Sequence, residues 1–434
     1  MLTTDPMTPF RGAASAALRR EQNRAYADHF AGLVGVDCGR TFHKLVARAR
    51  DGRRHQAVRV DVNRAGFEAA HTYLRRTFPG VRPAEMLVGI EFAGHYGATF
   101  AQFLRQQGYA IVTVLSSVTK KLREVEDNSP RKDDAKDAGQ ICQLVSDGLF
   151  VGHAVLSEVV AQMRVLSTER LRLGVEETRL RNRLRSAVDL AFPEVLEAFA
   201  TLRNRTPLAI VARWPLARDL AAASPRSVHA QLRLSSQNHI GRDRTQHLMA
   251  DARTSIALVD AAPARRAEIQ RMVARRAFLM KQMAACEAEL ADLVEAHAGA
   301  RALITLPGIG VVVAAALVSE IGTPETFLSP RQVLKLAGMN LAGKSSGTSV
   351  RGRIRQTKRG RPLLRRQLFL LAGRWCQSRG LYRDYYLAYV ARNGGSKIKG
   401  LAAVARKLVP LVLHIIQTGE PFDAARWGRQ RHIA

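Results

Sequence analysis

The stretch Leu33-Val34-Gly35-Val36-Asp37 is a short apolar run that ends in an acidic residue. Such a run predicts a buried β-strand with a carboxylate at its C-terminal end. Residues 41–49 alternate in character and predict a second strand, Asp51-Gly52 predicts the turn after it, and residues 56–62 are a third strand candidate. The apolar run 86–91 predicts another buried strand, which also ends in a carboxylate, that of Glu91.

Helices are expected between and after these strands. The spacing of apolar residues predicts helices over 64–78, 97–107 and 135–149, and residues 110–115 form a further apolar strand candidate. The order strand-strand-strand-helix-strand-helix-strand indicates an α/β domain with a mixed sheet over roughly 31–150. Residues before this domain are expected to form a loose, polar, arginine-bearing lead-in.

The middle of the chain has almost no strand pattern. Residues 159–190 and 264–297 are rich in Ala, Leu, Arg and Glu, with apolar residues at heptad-like spacing, and predict two long helices that form an antiparallel coiled coil or a dimer stalk. The more polar region 224–241 between them is expected to be a loop or tip. From residue 302 onward the sequence predicts short helices, glycine turns and a very basic segment.

The charge balance is the most unusual property of the 434-residue chain. It has 67 Lys and Arg against 37 Asp and Glu, a net charge of +30. This excess indicates a polyanionic partner, most simply nucleic acid, and disfavours an enzyme that handles only small molecules. The four cysteines lie far apart without CxxC spacing, so we expect reduced thiols and no structural zinc site. We expect no secretory signal and no membrane span.

Four acidic residues occupy positions where they can converge. Asp37 and Glu91 end two predicted strands, while Asp134 and Asp137 lie three residues apart near a helix start and share one of its faces. Converging carboxylates repel one another unless a cation lies between them, and oxygen ligands favour Mg²⁺ or Mn²⁺. Two such ions can stabilise the attacking and leaving oxygens of a phosphodiester reaction. The alternative is that these acids only cap loops and a helix N-terminus.

A glycine-rich stretch, 336–348, carries two adjacent serines, Ser345 and Ser346. A serine nucleophile needs an exposed hydroxyl and close backbone approach, which neighbouring glycines permit, although an ordinary flexible loop has the same composition. Lys344-Ser345 resembles the end of a Walker A loop, but the first glycine of that motif is missing at the required spacing.

A basic run follows the serines, since residues 351–366 hold eight Lys and Arg and no acid. We expect phosphate contacts here, with binding that falls steeply as salt rises. The candidate nucleic-acid-binding residues are Arg351, Arg353, Arg355, Lys358, Arg359 and Arg361. Upstream, Leu306-Pro307-Gly308-Ile309-Gly310 resembles a helix-hairpin-helix turn that binds phosphate at a helix N-terminus, with a plain turn between packed helices as the alternative.

Taken in order, these motifs resemble those of transposases of the insertion sequence 110 family, whose DEDD tetrad the four acids match. Seven short motifs carry the resemblance over about 31–420: Val36-Asp37 with His43, Glu91-x-x-Gly94-x-Tyr96, Lys132-x-Asp134-x-x-Asp137-Ala138, Leu306-Pro307-Gly308-Ile309-Gly310, Ala337-Gly338, Ser346-Gly347, and Lys358-x-Gly360 followed by Leu364-Arg365. The register leaves Asp133 as a rival to Asp134. Ser346 is preferred to Ser345 because it directly precedes Gly347.

The resemblance implies a three-part architecture. A RuvC-like domain of RNase H fold would cover 31–155, a helical coiled-coil region 156–300 and a serine transposase domain 301–420. Residues 1–30 would be the lead-in and residues 421–434 a C-terminal tail.

The resemblance also implies a DNA recombinase that excises and inserts its own element. Ser346 would attack a DNA phosphodiester while Asp37, Glu91, Asp134 and Asp137 hold Mg²⁺. An element-encoded bridge RNA would choose the target and donor DNA by base pairing. The protein would act on double-stranded DNA as a homodimer or homotetramer, in the bacterial cytoplasm and associated with the nucleoid.

Two other functions remain open. A junction resolvase or related nuclease would use the four acids without the serine, and a non-catalytic RNA- or DNA-binding relative would use neither. His43 and His95 are interpreted as packing or hydrogen-bonding residues. Four tyrosines at helical spacing are interpreted as one helix face, in the core or stacked on RNA, and not as nucleophiles: Tyr382, Tyr385, Tyr386 and Tyr389.

Overall fold

A computed structural model of the chain describes residues 16–92, 94–126, 134–324, 327, 329–343, 345–346, 350–351 and 355–424. Within these ranges, side chains are not described at 16, 123, 125–126, 134–135, 345–346 and 350–351. The chain forms two compact units. Residues 1–156 with 323–333 make up the first unit, and residues 157–322 with 334–434 make up the second.

The first unit is built on one mixed sheet with helices on both faces. Its strands are β1 (Gly32–Cys38), β2 (Phe42–Ala49), β3 (Val58–Asp61), β4 (Met86–Glu91), β5 (Ala110–Val114) and β6 (Val151–Gly152). Its helices are α1 (Ala16–Ala27), α2 (Arg64–Thr77), α3 (Ala98–Gln106), α4 (Ser116–Glu126) and α5 (Asp134–Ser146).

The strand order is β3-β2-β1-β4-β5-β6. Strands β1, β4 and β5 are parallel to one another, whereas the pairs β1–β2, β2–β3 and β5–β6 are antiparallel. This arrangement confirms the predicted α/β domain with a mixed sheet, and it agrees with the RNase H-like class.

Two apolar cores cover the two faces of this sheet because side chains alternate along each strand. Val34 and Val36 of β1 point into a core with α2 and α3, where Leu74 and Phe100 are fully buried. The opposite face, which carries Leu33 and Leu87, packs against α1 and α5. Residues two apart in a strand therefore share a face, and this rule decides where the acidic side chains point.

The lead-in before the sheet is more ordered than expected, because residues 16–27 form α1. The amide of Asn23 donates hydrogen bonds to the backbone oxygens of Gly148 (3.1 Å) and Phe150 (3.0 Å), and Ala27 and Phe30 are buried in the core. Half of the residues of α1 are Arg, Glu, Gln or Asn, and this composition concealed the helix. The sequence analysis also missed α4, which follows β5 directly.

The second unit is mainly helical in the residues that the structure describes. Its helices before the basic segment are α6 (Glu158–Ala191), α7 (Pro193–Phe199), α8 (Arg205–Arg213), α9 (Ala217–Ala221), α10 (Pro225–Ser235), α11 (Arg242–Arg253), α12 (Ala262–Glu295), α13 (Ala298–Ile304) and α14 (Val311–Ile321). Next come α15 (Pro330–Leu336), which has residues in both units, and the short strands β7 (Leu341–Ala342), β8 (Ser345–Ser346), β9 (Val350–Arg351) and β10 (Arg355–Gln356). The last helices are α16 (Pro362–Gln377), α17 (Leu381–Arg392) and α18 (Lys397–Thr418).

The two predicted long helices are present as α6 and α12, and they pack against each other. Their pairing is antiparallel, since Arg170 bonds Glu287 (2.6 Å) while Glu177, further along α6, bonds Arg276 (2.8 Å). Glu177 is only 6% exposed and also accepts a hydrogen bond from Arg181 (2.8 Å), so one buried carboxylate joins two arginines.

Shorter helices connect the two long helices along the chain, and the prediction of a loop or tip over 224–241 is wrong for residues 225–235, which form α10. Ser224 caps α10 by accepting a hydrogen bond from the N–H of Ser227 (3.2 Å), and Pro225 occupies the first helical position. Val228 and Leu232 are fully buried. These two apolar residues at i and i+4 anchor a helix most of whose other positions are polar, which made the segment resemble a loop.

Helix α18 is the one helix, among the described residues, that is long and apolar enough to cross a membrane. It packs against α13, α16 and α17, and 56% of its apolar window is buried. Its inward face includes Val404, Leu408 and Leu411. Such burial against neighbouring helices is typical of a core helix.

Candidate active site

Two acidic residues meet at one edge of the sheet in the first unit. Asp37 is the last residue of β1 that pairs with β4, and Glu91 ends β4. The two are register partners on these neighbouring parallel strands. Adjacent strands lie about 4.8 Å apart, so these two carboxyl-bearing positions are direct neighbours. Both side chains are partly exposed. The site is therefore open to solvent at the C-terminal edge of the parallel strands.

Glycine two residues before each acid brings a helix down onto the same face. A Cβ at Gly35 would lie 2.3 Å from the backbone oxygen of Ala138 in α5, and a Cβ at Gly89 would lie 2.2 Å from Val145 of the same helix. Only glycine permits this approach. Because residues two apart share a face, Asp37 and Glu91 point to the side of the sheet that carries α5.

The direction of α5 brings its N-terminus to the acidic edge. The thiol of Cys142, late in the helix, donates to the backbone oxygen of Leu33 at the start of β1 (3.6 Å), whereas Ala138 lies over Gly35. The helix thus runs against β1, and its first turn lies toward Asp37. Asp134 and Asp137 belong to that turn.

Asp137 is 3% exposed at this helix–sheet interface. Among the side chains that the structure describes, no three His, Cys, Asp or Glu residues lie close enough to hold a metal ion, so Asp37, Glu91 and Asp137 do not by themselves form such a group. The side chain of Asp134 and the whole of Asp133 lie outside the described residues. The structure therefore brings Asp37 next to Glu91. For Asp134 and Asp137, it is the position of α5 that brings them toward this edge.

Thr119 of α4 holds the carboxylate of Glu91. Its hydroxyl is fully buried and donates a hydrogen bond to Oε2 of Glu91 (2.7 Å). A charge-assisted bond of this kind fixes the carboxylate and leaves its second oxygen for another partner. Thr119 was not predicted as a site residue, because a single threonine in a helix that was itself not predicted forms no recognisable motif.

The thiol of Cys38 lies buried beside the two acids at this edge. Burial, followed by the charges of Asp37 and Glu91, raises the pKa of Cys38 to about 12. The thiol therefore stays protonated at neutral pH, which makes it a poor nucleophile. All four cysteines are free.

The two histidines near the acids in the sequence, His43 and His95, have different surroundings in the structure. His43 is fully buried on the opposite face of the sheet, with its ring 5.4 Å from that of Phe100, and burial lowers its pKa so that it is neutral. Its interpretation as a packing residue is confirmed. His95 is exposed, and its ring contacts Tyr96 at 4.4 Å.

The serine pair lies on a β-hairpin of the second unit. Strand β7 pairs with β10, and β8 pairs with β9, so that Ser346 faces Val350 across the distal rung. The backbone places both serines in β8. Residues 347–349 and the side chains of Ser345 and Ser346 lie outside the described residues.

The hairpin is fixed at its base by a close backbone crossing. A Cβ at Gly338 would lie 2.8 Å from the carbonyl carbon of Lys358, and one at Gly360 would lie 2.3 Å from the oxygen of Leu336. Lys358 N–H donates to the oxygen of Gly338 (2.9 Å), and Arg361 N–H donates to that of Leu336 (2.7 Å). Both glycines have positive φ, which residues with a Cβ rarely adopt, and the missing Cβ also permits the close crossing.

The residues of the basic run differ in what their side chains do. Arg355, Lys358 and Arg359 are exposed. Arg361 is half-buried and donates to the backbone oxygen of Glu320 at the end of α14, where an arginine also complements the helix dipole. Arg353 and the side chain of Arg351 lie outside the described residues.

The 306–310 motif and the tyrosine motif lie among the helices of the second unit. The 306–310 segment is a turn between α13 and α14, with Leu306 fully buried and Gly308 at positive φ. The tyrosines lie on α17, as their spacing predicts. Tyr386 packs against Gly400 of α18, and Tyr385 contacts Tyr389 at 6.0 Å between ring centres.

Comparison with known proteins finds matches both to the region of the acidic residues and to the region of the serine hairpin. A family model for the DEDD transposase domain of IS110, described as "Transposase", matches residues 34–193. A second model, described as "Transposase IS116/IS110/IS902 family", matches residues 300–387. The chain is also 22% identical over 401 residues to the "Insertion element IS110 uncharacterized 43.6 kDa protein" of Streptomyces coelicolor, an alignment that covers 90% of this chain and 95% of that protein.

Proposed function

The chain belongs to the IS110 family of transposases, and from this premise we propose that it cuts and rejoins DNA at the ends of its mobile element with Ser346 as the nucleophile. The observation that carries the proposal is the direct pairing of Asp37 with Glu91 at the strand ends, under the N-terminus of α5. The family acts on DNA, and the net charge of +30 fits a protein that holds long polyanions.

The residues at the acidic edge fit a divalent cation. Asp37 and Glu91 offer only hard oxygen donors and are register partners on neighbouring strands. Asp37, Glu91, Asp134 and Asp137 would hold the ion, and Mg²⁺ is the metal that such donors favour, with Mn²⁺ as a substitute. The ion would supply positive charge against the phosphate and make a nearby hydroxyl more acidic.

The serine performs the covalent step in this proposal. The Oγ–P bond forms as the P–O3′ bond of the DNA breaks, the hydroxyl loses its proton, and the departing O3′ gains one. A second 3′ end then attacks the phosphoserine and restores the serine. Each step exchanges one phosphate ester for another, so no ATP is required.

Two partners complete the proposal. An element-encoded RNA guides the choice of DNA by base pairing, and the excess of basic residues provides charge for both nucleic acids. The protein acts as a homodimer or homotetramer, because a reaction that joins two DNA ends needs more than one nucleophile.

The test is a search for a covalent protein–DNA adduct. Protein, the RNA transcribed from its element, end DNA and Mg²⁺ are incubated, and a denaturant-resistant protein–DNA band is resolved on a gel. The wild type and Ser345→Ala should form the band, whereas Ser346→Ala should not. Asp134→Asn should abolish strand cleavage, and Asp133→Asn should leave it within about twofold.

The two alternatives give different results in the same assay. A nuclease that uses the acids alone would cleave DNA with Ser346→Ala, without any adduct. A non-catalytic binder would neither cleave DNA nor respond to Asp37→Asn. Either result would contradict the proposed function. Omitting the RNA from an otherwise complete reaction tests its role, because unchanged cleavage would exclude guidance.

A further inference from the structure

A pocket of about 350 Å³ lies in the second unit beside the 306–310 turn. It is formed by Pro307 and Gly308, by the end of α16, by the start of α17 and by Phe422 after α18. This volume is at the lower end of the range for small-molecule sites, which suits one flat group and not a helix or a duplex. Neither the acidic edge nor the serine hairpin contributes to it.

Three aromatic rings give the pocket its character. Trp375 lies 4.8 Å from Tyr382 and 5.9 Å from Phe422 between ring centres, with both pairs close to edge-on. The indole N–H of Trp375 donates to the oxygen of Pro307 (2.6 Å), and the backbone N–H of Phe422 donates to the hydroxyl of Thr305 (2.7 Å). The rings are therefore held in place before any ligand arrives.

Positive charge borders this aromatic surface. Arg374 and Arg379 line the pocket, and the described residues that line it include no acid. The guanidinium of Arg374 donates to the oxygen of Gly308, whereas Arg379 is exposed at the rim. A fixed aromatic surface with cations at its edge matches a base that stacks while its phosphate stays outside.

We propose that this pocket binds one unpaired base of single-stranded DNA. A duplex keeps its bases stacked, so only an opened strand can supply such a base. The inference rests on the proposed function, because cutting and exchanging strands produces opened DNA beside the serine-bearing domain. RNA offers the same stacking face, and the experiment below separates the two nucleic acids.

Trp375 itself reports on the pocket. The chain has three tryptophans, and changing Trp214 and Trp427 to Phe leaves Trp375 as the only one. The full-length protein is titrated at fixed salt with a single-stranded DNA oligonucleotide, a blunt duplex of the same sequence and a single-stranded RNA of that sequence. The single-stranded DNA should quench Trp375 fluorescence, and the duplex should not.

Two leucines of α17 provide a matched pair of variants. Leu381 lines the pocket and is 50% exposed, whereas Leu387 lies outside it and is 51% exposed. Leu381→Glu should weaken single-stranded DNA binding about tenfold, since one stacked base is worth about 5- to 150-fold in affinity. Leu387→Glu should change it less than twofold. A glutamate at Leu381, in the first turn of α17, favours the helix, and Leu387 is half exposed, so both variants should fold.

Four outcomes would overturn the inference: equal quenching by the duplex, equal weakening by both leucine variants, tighter binding of RNA than of DNA, or no quenching at all. The failure of the proposed function would look different. Ser346→Ala should bind single-stranded DNA in the pocket as the wild type does, whereas Leu387→Glu, outside the pocket, should form the adduct as the wild type does.

Discussion

The seating of α5 on the sheet can be tested with one added methyl group. In Gly35→Ala, the new Cβ would lie 2.3 Å from the backbone oxygen of Ala138 and 2.4 Å from the backbone nitrogen of Cys142, whereas real Cβ contacts stay above 3.0 Å. The helix must therefore withdraw by about 0.7 Å. Overpacking of this kind costs about 1–3 kcal/mol, because backbone cannot move aside as a flexible side chain can.

Amide hydrogen exchange measured by mass spectrometry follows this change directly. Residues 31–155 contain no tryptophan, so tryptophan fluorescence does not monitor the sheet directly. Peptides from α5 should exchange about 5- to 150-fold faster in Gly35→Ala, which is the stated loss in stability expressed as a ratio. Strand cleavage should fall about 100-fold, because a 1 Å displacement of catalytic groups has an effect of that order.

Gly139→Ala is the matched control in the same helix. A Cβ there meets nothing within 4 Å, so alanine should stabilise α5 by about 0.5–1 kcal/mol through its higher helix propensity. Slower exchange in Gly139→Ala together with faster exchange in Gly35→Ala is the expected pair of results. Unchanged exchange in Gly35→Ala would refute the close contact and, with it, the placement of Asp134 and Asp137 near Asp37.

Three further predictions concern other contacts. Glu177→Ala should lower the free energy of unfolding by about 3–5 kcal/mol in urea denaturation, because it leaves buried arginine without its carboxylate, whereas Glu177→Leu with Arg276→Leu should be much closer to the wild type. Thr119→Val removes the hydrogen bond to Glu91 at constant shape, so cleavage should fall about tenfold or more and Thr119→Ser should restore it; full activity in the valine variant would exclude a positioning role. Arg359→Gln should reduce the slope of log affinity against log salt for duplex DNA by about 0.9, as expected for one lost phosphate contact, and an unchanged slope would remove Arg359 from the interface.

The sheet was predictable because its information is local. Apolar runs that end in acids specify both strands of the candidate site, and their parallel pairing places Asp37 beside Glu91. The helix above them was also predicted from spacing. The distance between this helix and the sheet could not be predicted from spacing. It depends on the absence of a side chain at Gly35 and Gly89, which lets the helix approach closely.

The parts that sequence reasoning missed depend on distant partners. Helix α1 is held by Asn23, whose acceptors lie more than 120 residues further along the chain. Helix α10 is mostly polar, and only its place in a bundle shows which two residues need burial. The serine hairpin is defined by the pairing of residues 341–346 with 350–356, and no local pattern in either half reveals that pairing.

The interval between glycine and acid is two residues in both β1 and β4, and this spacing restricts how the family's members can diverge. A single insertion or deletion inside either strand would turn its carboxylate away from α5 and place an apolar neighbour there instead. Changes of length must accumulate in the connecting turns, such as that between Cys38 and Phe42. An insertion there does not change which face of the sheet a strand side chain points to. Distant homologues should therefore keep Gly-x-Asp and Gly-x-Glu as inseparable triplets even where every surrounding residue has been replaced.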